Sequence, residues 1–155
     1  MELQAKVVTV SESVADGTRD DRSGDVLVEI LTERGFTVVE REVVRDGALN
    51  LASVLRRLSD GFAGLIITTG GTGFSPSDQT PEGTLLVLER QAPGLSEAMR
   101  AINPLGRLSR GVAGTLGDSL ILNLPGSPNA VKESLEAVSD VLEHVLDLMT
   151  GGHPH

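Results

Sequence analysis

At 155 residues, with 39% hydrophobic side chains, the chain is sized for one domain, expected over residues 1–150, with a loose tail at 151–155. Aromatics make up only 2%, with no Trp or Tyr, and there is no cysteine, which excludes base-stacking platforms, disulfides, thiolate metal sites and cysteine nucleophiles. A net charge of −9, from 13 basic and 22 acidic residues, gives no attraction for nucleic-acid backbones or anionic lipid.

The start "MELQAKVVTVS" lacks a basic region followed by a long apolar core. No apolar run approaches the ~18 residues of a membrane span. The expectation is a cytoplasmic protein with no membrane or nucleic-acid partner. "AKVVTVS" (5–11) reads as a buried strand, and "SGDVLVEILTERG" (23–35) as a helix with Val26, Ile30 and Leu31 on one face. "FTVVEREVV" (36–44) alternates like a strand near a sheet edge. "LNLASVLRRLSDG" (49–61) is a second helix, built on Leu51, Val54, Leu55 and Leu58.

"GLIITT" (64–69) has no alternation, as for a strand covered on both faces. A helix from Pro81, another around "GLSEAMRAI" (94–102), a central strand "DSLILNLP" (118–125) and a long closing helix (127–149) follow. Strands alternating with helices imply a three-layer α/β sandwich with a mostly parallel, doubly wound central sheet. Ligands in such sheets sit beyond the carboxyl ends of the strands, which directs attention to the loops there.

After "LIITT" the chain reads Gly70, Gly71, Thr72, Gly73, where missing side chains let backbone N–H groups approach a ligand. Thr80 as N-cap, Pro81 at the first helical position and Glu82 in the first turn would make a helix start that receives an anion. A tight turn with no ligand has the same composition. Walker A and the dinucleotide fingerprint are both excluded, by the missing Gly-Lys-Ser/Thr and by position in the chain.

Asp78 in this loop, and Asp46 after the second strand, could share one Mg²⁺, although both also suit ordinary turns. "LNLPGSPNAV" repeats the device, with Pro125, Gly126 and Ser127 as N-cap, so two helix starts would point at one crevice. Neither of the two lysines, Lys6 and Lys132, lies in the glycine loop. Ser109 and Arg110 in "LSRGVAG" are weaker candidates, Arg110 for bidentate phosphate contact. His144 suits an exposed helix face, and His153 and His155 the solvated tail. No zinc-site spacing and no Ser/His/Asp triad is legible.

"TVSESVADGTRDDRSG", "LIITTGGTGFSPSDQTPE", "PGLSEAMR", "LSRGVAG" and "LILNLPGSPNAVKE", in this order, resemble the molybdenum cofactor biosynthesis proteins of the MoaB/Mog type. The likeness spans Lys6 to Leu148. It implies an α/β sandwich, usually a homotrimer, that uses Mg²⁺ and ATP to adenylylate molybdopterin and release pyrophosphate. The product would pass to a molybdenum insertase partner.

The resemblance assigns Asp78 and Asp46 to Mg-ATP use and Ser109 to the pterin surface. It gives Gly70–Gly73 and Pro125–Ser127 to the nucleotide loops, with Glu82 and Glu97 in matching motifs. One departure is that Asp46 lies between Arg45 and Gly47, where many members have a proline and a second acid. The rival reading is a non-catalytic pterin- or nucleotide-binding or scaffold module of the same fold. A nucleotide hydrolase lacks a water-activating residue.

Overall fold

The apolar runs supply the centre of the sheet. In the computed structural model, which describes residues 2–152, β1 (Gln4–Val10), β3 (Gly64–Thr69) and β6 (Ser119–Leu124) lie side by side and parallel. Every residue of β3 and β6 is buried, as their lack of alternation predicts. β2 (Thr37–Val44) alternates exposed and half-buried residues and forms the edge beside β1. The order of these four is β2-β1-β3-β6. The expectation for His153 and His155 lies outside the described residues.

β4 (Arg90–Gln91) and β5 (Ala113–Leu116), absent from the sequence reading, complete the sheet. β5 runs antiparallel to β6 through a two-residue turn at Gly117 and Asp118, and β4 runs antiparallel to β5. With two and four residues, they are too short to show a period.

Helices cover both faces. α2 (Arg22–Glu33), α5 (Pro93–Ala101) and α6 (Pro128–Met149) pack on one side, where Leu27, Leu31, Met99, Val131, Leu135 and Val138 meet alternate residues of β1, β3 and β6. The most deeply buried pair of α2 is Leu27 and Leu31, with Val26 and Ile30 flanking. α3 (Ala48–Ser59) seals the other side through Leu51, Ala52, Leu55 and Leu58 against Val8, Ile66 and Ile121. Each such leucine, fully buried, is worth roughly 1.5–3 kcal/mol of transfer free energy. The short α1 (Glu12–Ala15) and α4 (Thr80–Leu85) sit at the loop end of the sheet.

From β1 the chain passes through α2 to β2 on one side, then through α3 to β3 on the other. The winding therefore reverses between β1 and β3, and the crevice belongs above their carboxyl ends. A buried polar link supports this end. Asn123 donates to the hydroxyls of Thr68 and Thr84, both at 3.0 Å, and accepts from the backbone N–H of Val112 at 3.1 Å.

Candidate active site

Three chain turns converge at the switch point. Gly70 has φ +97° and Gly71 φ +67°. A Cβ on Gly70 would lie 2.4 Å from the carbonyl oxygen of Val10, and one on Gly71 2.3 Å from Thr80 Oγ1. A Cβ on Gly126 would lie 3.4 Å from Gly70 Cα, so the two glycine turns pack against each other. Thr69 Oγ1 donates to the carbonyl of Pro125 at 2.7 Å and closes the gap between β3 and β6.

Only one of the two expected helix starts faces the crevice. Ser127 caps α6 by accepting from the Ala130 N–H at 3.2 Å, a bond worth ~1 kcal/mol. Thr80 does not cap α4: it is the first helical residue, and its hydroxyl donates to the carbonyl of Gly70 at 2.9 Å. The N-cap is Gln79, which accepts from the Ala48 N–H at 2.9 Å instead of capping its own helix. The first turn of α4 thus braces the glycine loop from beneath.

Two hollows open on either side of these turns. The larger, about 660 Å³, is lined by Gly71, Thr72, Gly73, Asp78, Ser109 and Pro125, and by apolar Met99, Ile102, Leu105 and Leu108. The smaller, about 530 Å³, is lined by Ser11, Glu12, Asp46, Gly70 and Asp78, with Arg19 and Arg22. Gly71, Asp78, Gly126 and Ser127 belong to both and form their common wall. Asp46, Asp78, Gly70–Gly73, Ser109 and Pro125–Ser127 are therefore brought together.

Glu82, Glu97 and Arg110 line neither hollow. Glu97 is exposed on α5. Arg110 is a strut: Nε donates to Gly73 O at 2.6 Å, one terminal nitrogen to Asp78 O at 2.8 Å, and the other to Glu82 at 2.7 Å. Its guanidinium holds the Glu82 carboxyl below its ordinary value. With its donors engaged this way, Arg110 fixes the loop and leaves no fork open for a phosphate. Arg110→Lys keeps the charge but not three directed bonds. The expected result is severalfold faster proteolytic cleavage within 74–79, with a melting temperature lowered by only a few degrees.

Sequence reasoning used the β1–α2 segment only for the resemblance and named no site residue in it. Ser11 caps α1 by accepting from Val14 N–H at 3.3 Å, which aims Glu12 at the Asp46 loop. Glu12 accepts from the Asp46 N–H and from Arg45, both at 2.9 Å, and Arg45 also pairs with Asp16 at 2.7 Å. The available signal was the one used elsewhere: polar residues directly after a central strand.

Partial burial, then Glu12, then Asp78 push the Asp46 carboxyl above its ordinary value of 3.8. A group whose folded pKa is raised favours folding at low pH and opposes it once both states are ionised. Asp46→Asn should therefore melt higher than the parent at pH 7 in metal-free buffer, with the gain shrinking as pH falls through the raised pKa and gone below the ordinary value of 3.8. Paired thermal melts across pH check this; a constant or reversed difference contradicts it.

Asp78 also has a turn duty, since one carboxylate oxygen accepts from the Ser75 N–H at 3.0 Å. Asp78 and Asp46 both line the smaller hollow. Among the described residues no cluster of three or more His, Cys, Asp or Glu is arranged to hold a metal by itself. Two mutually repelling carboxylates suit Mg²⁺, which is commonly held by one or two carboxylates plus substrate phosphates.

A family described as a probable molybdopterin binding domain matches residues 6–144. The molybdopterin adenylyltransferase of Helicobacter pylori strain J99 is 36% identical over 154 residues, covering 95% of this chain and 88% of that protein. The Escherichia coli K12 enzyme of the same name is 37% identical over 151 residues, covering 93% and 77%. Among solved structures, the molybdopterin biosynthesis enzyme MoaB of Thermus thermophilus superimposes with a TM-score of 0.90 at 44% identity, over 96% of this chain and 97% of that one. The Mog protein of Mycobacterium ulcerans gives 0.88 at 41%, over 95% and 99%.

Proposed function

The chain belongs to the probable molybdopterin binding domain family, and from that premise we propose that it is a molybdopterin adenylyltransferase. It transfers AMP from Mg-ATP to the terminal phosphate of molybdopterin and releases pyrophosphate. One observation carries the reading: two hollows of substrate size share a wall made of Gly71, Asp78, Gly126 and Ser127. Two substrates in separate compartments can react only at such a wall.

The larger hollow, with its apolar side and Ser109, suits the pterin. The smaller, polar one suits the phosphate-bearing part of the nucleotide. The chain needs no nucleophile of its own, because the pterin phosphate attacks. Its residues position the two phosphates, through backbone N–H groups at Gly71–Gly73 and the start of α6, while the Gly70 N–H ties the loop to the Leu124 carbonyl at 3.2 Å. Mg²⁺ held by Asp46 and Asp78 would neutralise charge on the phosphates and let a nucleotide enter an acidic hollow.

The same proposal includes a cytoplasmic location, a homotrimer and a molybdenum insertase as acceptor of the product. Exposed apolar side chains such as Leu49, Phe74 and Leu105 are available for subunit contact. The deciding experiment is incubation with Mg-ATP and molybdopterin. Pyrophosphate and adenylylated molybdopterin should appear in equal amounts; substrate binding without either product would support the binding or scaffold module instead.

A further inference from the structure

We propose that Arg19 and Arg22 grip the β- and γ-phosphates of the nucleotide, the part that leaves as pyrophosphate; this rests on the adenylyltransferase reading. The smaller hollow has four carboxylates on its walls, from Glu12, Asp20, Asp46 and Asp78, and two cations, Arg19 and Arg22. Arg41, Arg45, Arg57 and Arg110 are each held by carboxylates. Among the described residues Arg19 and Arg22 have no ion pair and no side-chain hydrogen bond, and both are exposed at the mouth. Their forks are open.

The position of Arg22 is otherwise unexplained. It is the first residue of α2, where a cation opposes the helix dipole. A stabilising role would place an acid there. Arg22 also borders a cleft formed with Asp25 and Val26 of its own helix and with Ser127, Pro128 and Asn129 at the start of α6, where the Asp25 carboxylate is paired with Arg41 at 2.7 Å. An anion at that point meets a guanidinium from one side and a capped helix start from the other. The larger hollow offers no equivalent: its one cation, Arg100, donates to the carbonyl of Gly111 at 2.6 Å.

This placement orients the reaction. A terminal phosphate oxygen of molybdopterin forms the new bond to the α-phosphorus at the common wall. The bond from the α-phosphorus to the α–β bridging oxygen breaks, and its electron pair leaves with that oxygen on pyrophosphate. Arg19 and Arg22 stand on the side where this charge accumulates, opposite the pterin hollow.

The test is direct binding, measured by calorimetry on the full chain with Mg-ATP, magnesium pyrophosphate and AMP. Arg19→Gln/Arg22→Gln should weaken Mg-ATP and pyrophosphate tenfold or more, and leave AMP within twofold. Arg19→Lys/Arg22→Lys, which keeps charge without the planar fork, should recover part of the loss. Unchanged affinity for either pyrophosphate-bearing ligand, or an equal loss for AMP, overturns the assignment. Failure of the wild-type chain to turn over would count against the adenylyltransferase reading alone, since these affinities are read without turnover.

Discussion

Asp78→Asn is expected to lower turnover by ~10²–10³-fold while leaving the fold and most pterin affinity intact, the scale of losing one preorganised electrostatic contact at a reacting phosphate. The substitution is nearly isosteric, and an amide oxygen can still accept from the Ser75 N–H that the carboxylate now holds at 3.0 Å. What disappears is one negative charge on the wall common to both hollows. Pyrophosphate release at saturating substrates, measured across magnesium concentrations, should show the loss in kcat and a raised magnesium requirement. Full activity in this variant would remove the metal role from Asp78.

The double variant with Asp46→Asn sharpens the same prediction. The charge on Asp78 adds to the cost of ionising Asp46, so the two act on one small volume. If both serve one cation, the second substitution should cost much less than the first, as for residues that act as a unit. Multiplicative losses would mean separate duties. Asp46→Asn should also stabilise the metal-free protein near neutral pH, an opposition between stability and activity expected where like charges are held together for a ligand.

Most of the frame was legible because the central strands have no other reading. β3 and β6 lack the apolar–polar alternation of a half-covered strand and are buried throughout, as a sheet covered on both faces requires. Gly70, Gly126 and Asp78 could then be placed at one edge by topology alone. β4 and β5 were not legible, since Arg90 and Gln91 are exposed and Ala113–Leu116 carries no pattern before it pairs with β6. Side-chain duties inside the site were also hidden. Thr80 as an N-cap and Thr80 as a brace for Gly70 have the same sequence signature, and only the packing of α4 beneath the loop separates them. Arg110 was a weaker candidate, for its bidentate fork, and nothing in the sequence shows that two loop carbonyls and Glu82 take its donors. Glu12, Arg19 and Arg22 were overlooked although they follow β1 as Asp46 follows β2.

Gly70→Ala is the second large effect, and its cause can be separated into two parts. At φ +97° an alanine is strained by ~1–3 kcal/mol. Its Cβ would also stand 2.4 Å from the Val10 carbonyl oxygen, an atom of a central strand fixed between β2 and β3. A flexible side chain could move aside, but this oxygen cannot without parting β1 from β3. The expected loss is ~3–5 kcal/mol in total, or a melting temperature lower by roughly 10 °C for a chain of this size. Gly17→Ala isolates the first part, since Gly17 has φ +76° with nothing within 4 Å of its would-be Cβ; it should cost only ~1 kcal/mol. Gly126→Ala isolates a third quantity: its Cβ would make ordinary contact with Gly70 Cα at 3.4 Å, in a backbone that is not strained. That variant should melt near the parent yet lose turnover, because the methyl group stands on the wall where the phosphates meet. If Gly17→Ala and Gly70→Ala cost the same, the glycine at 70 is needed for its backbone angle alone, and close approach of the three turns does not explain it.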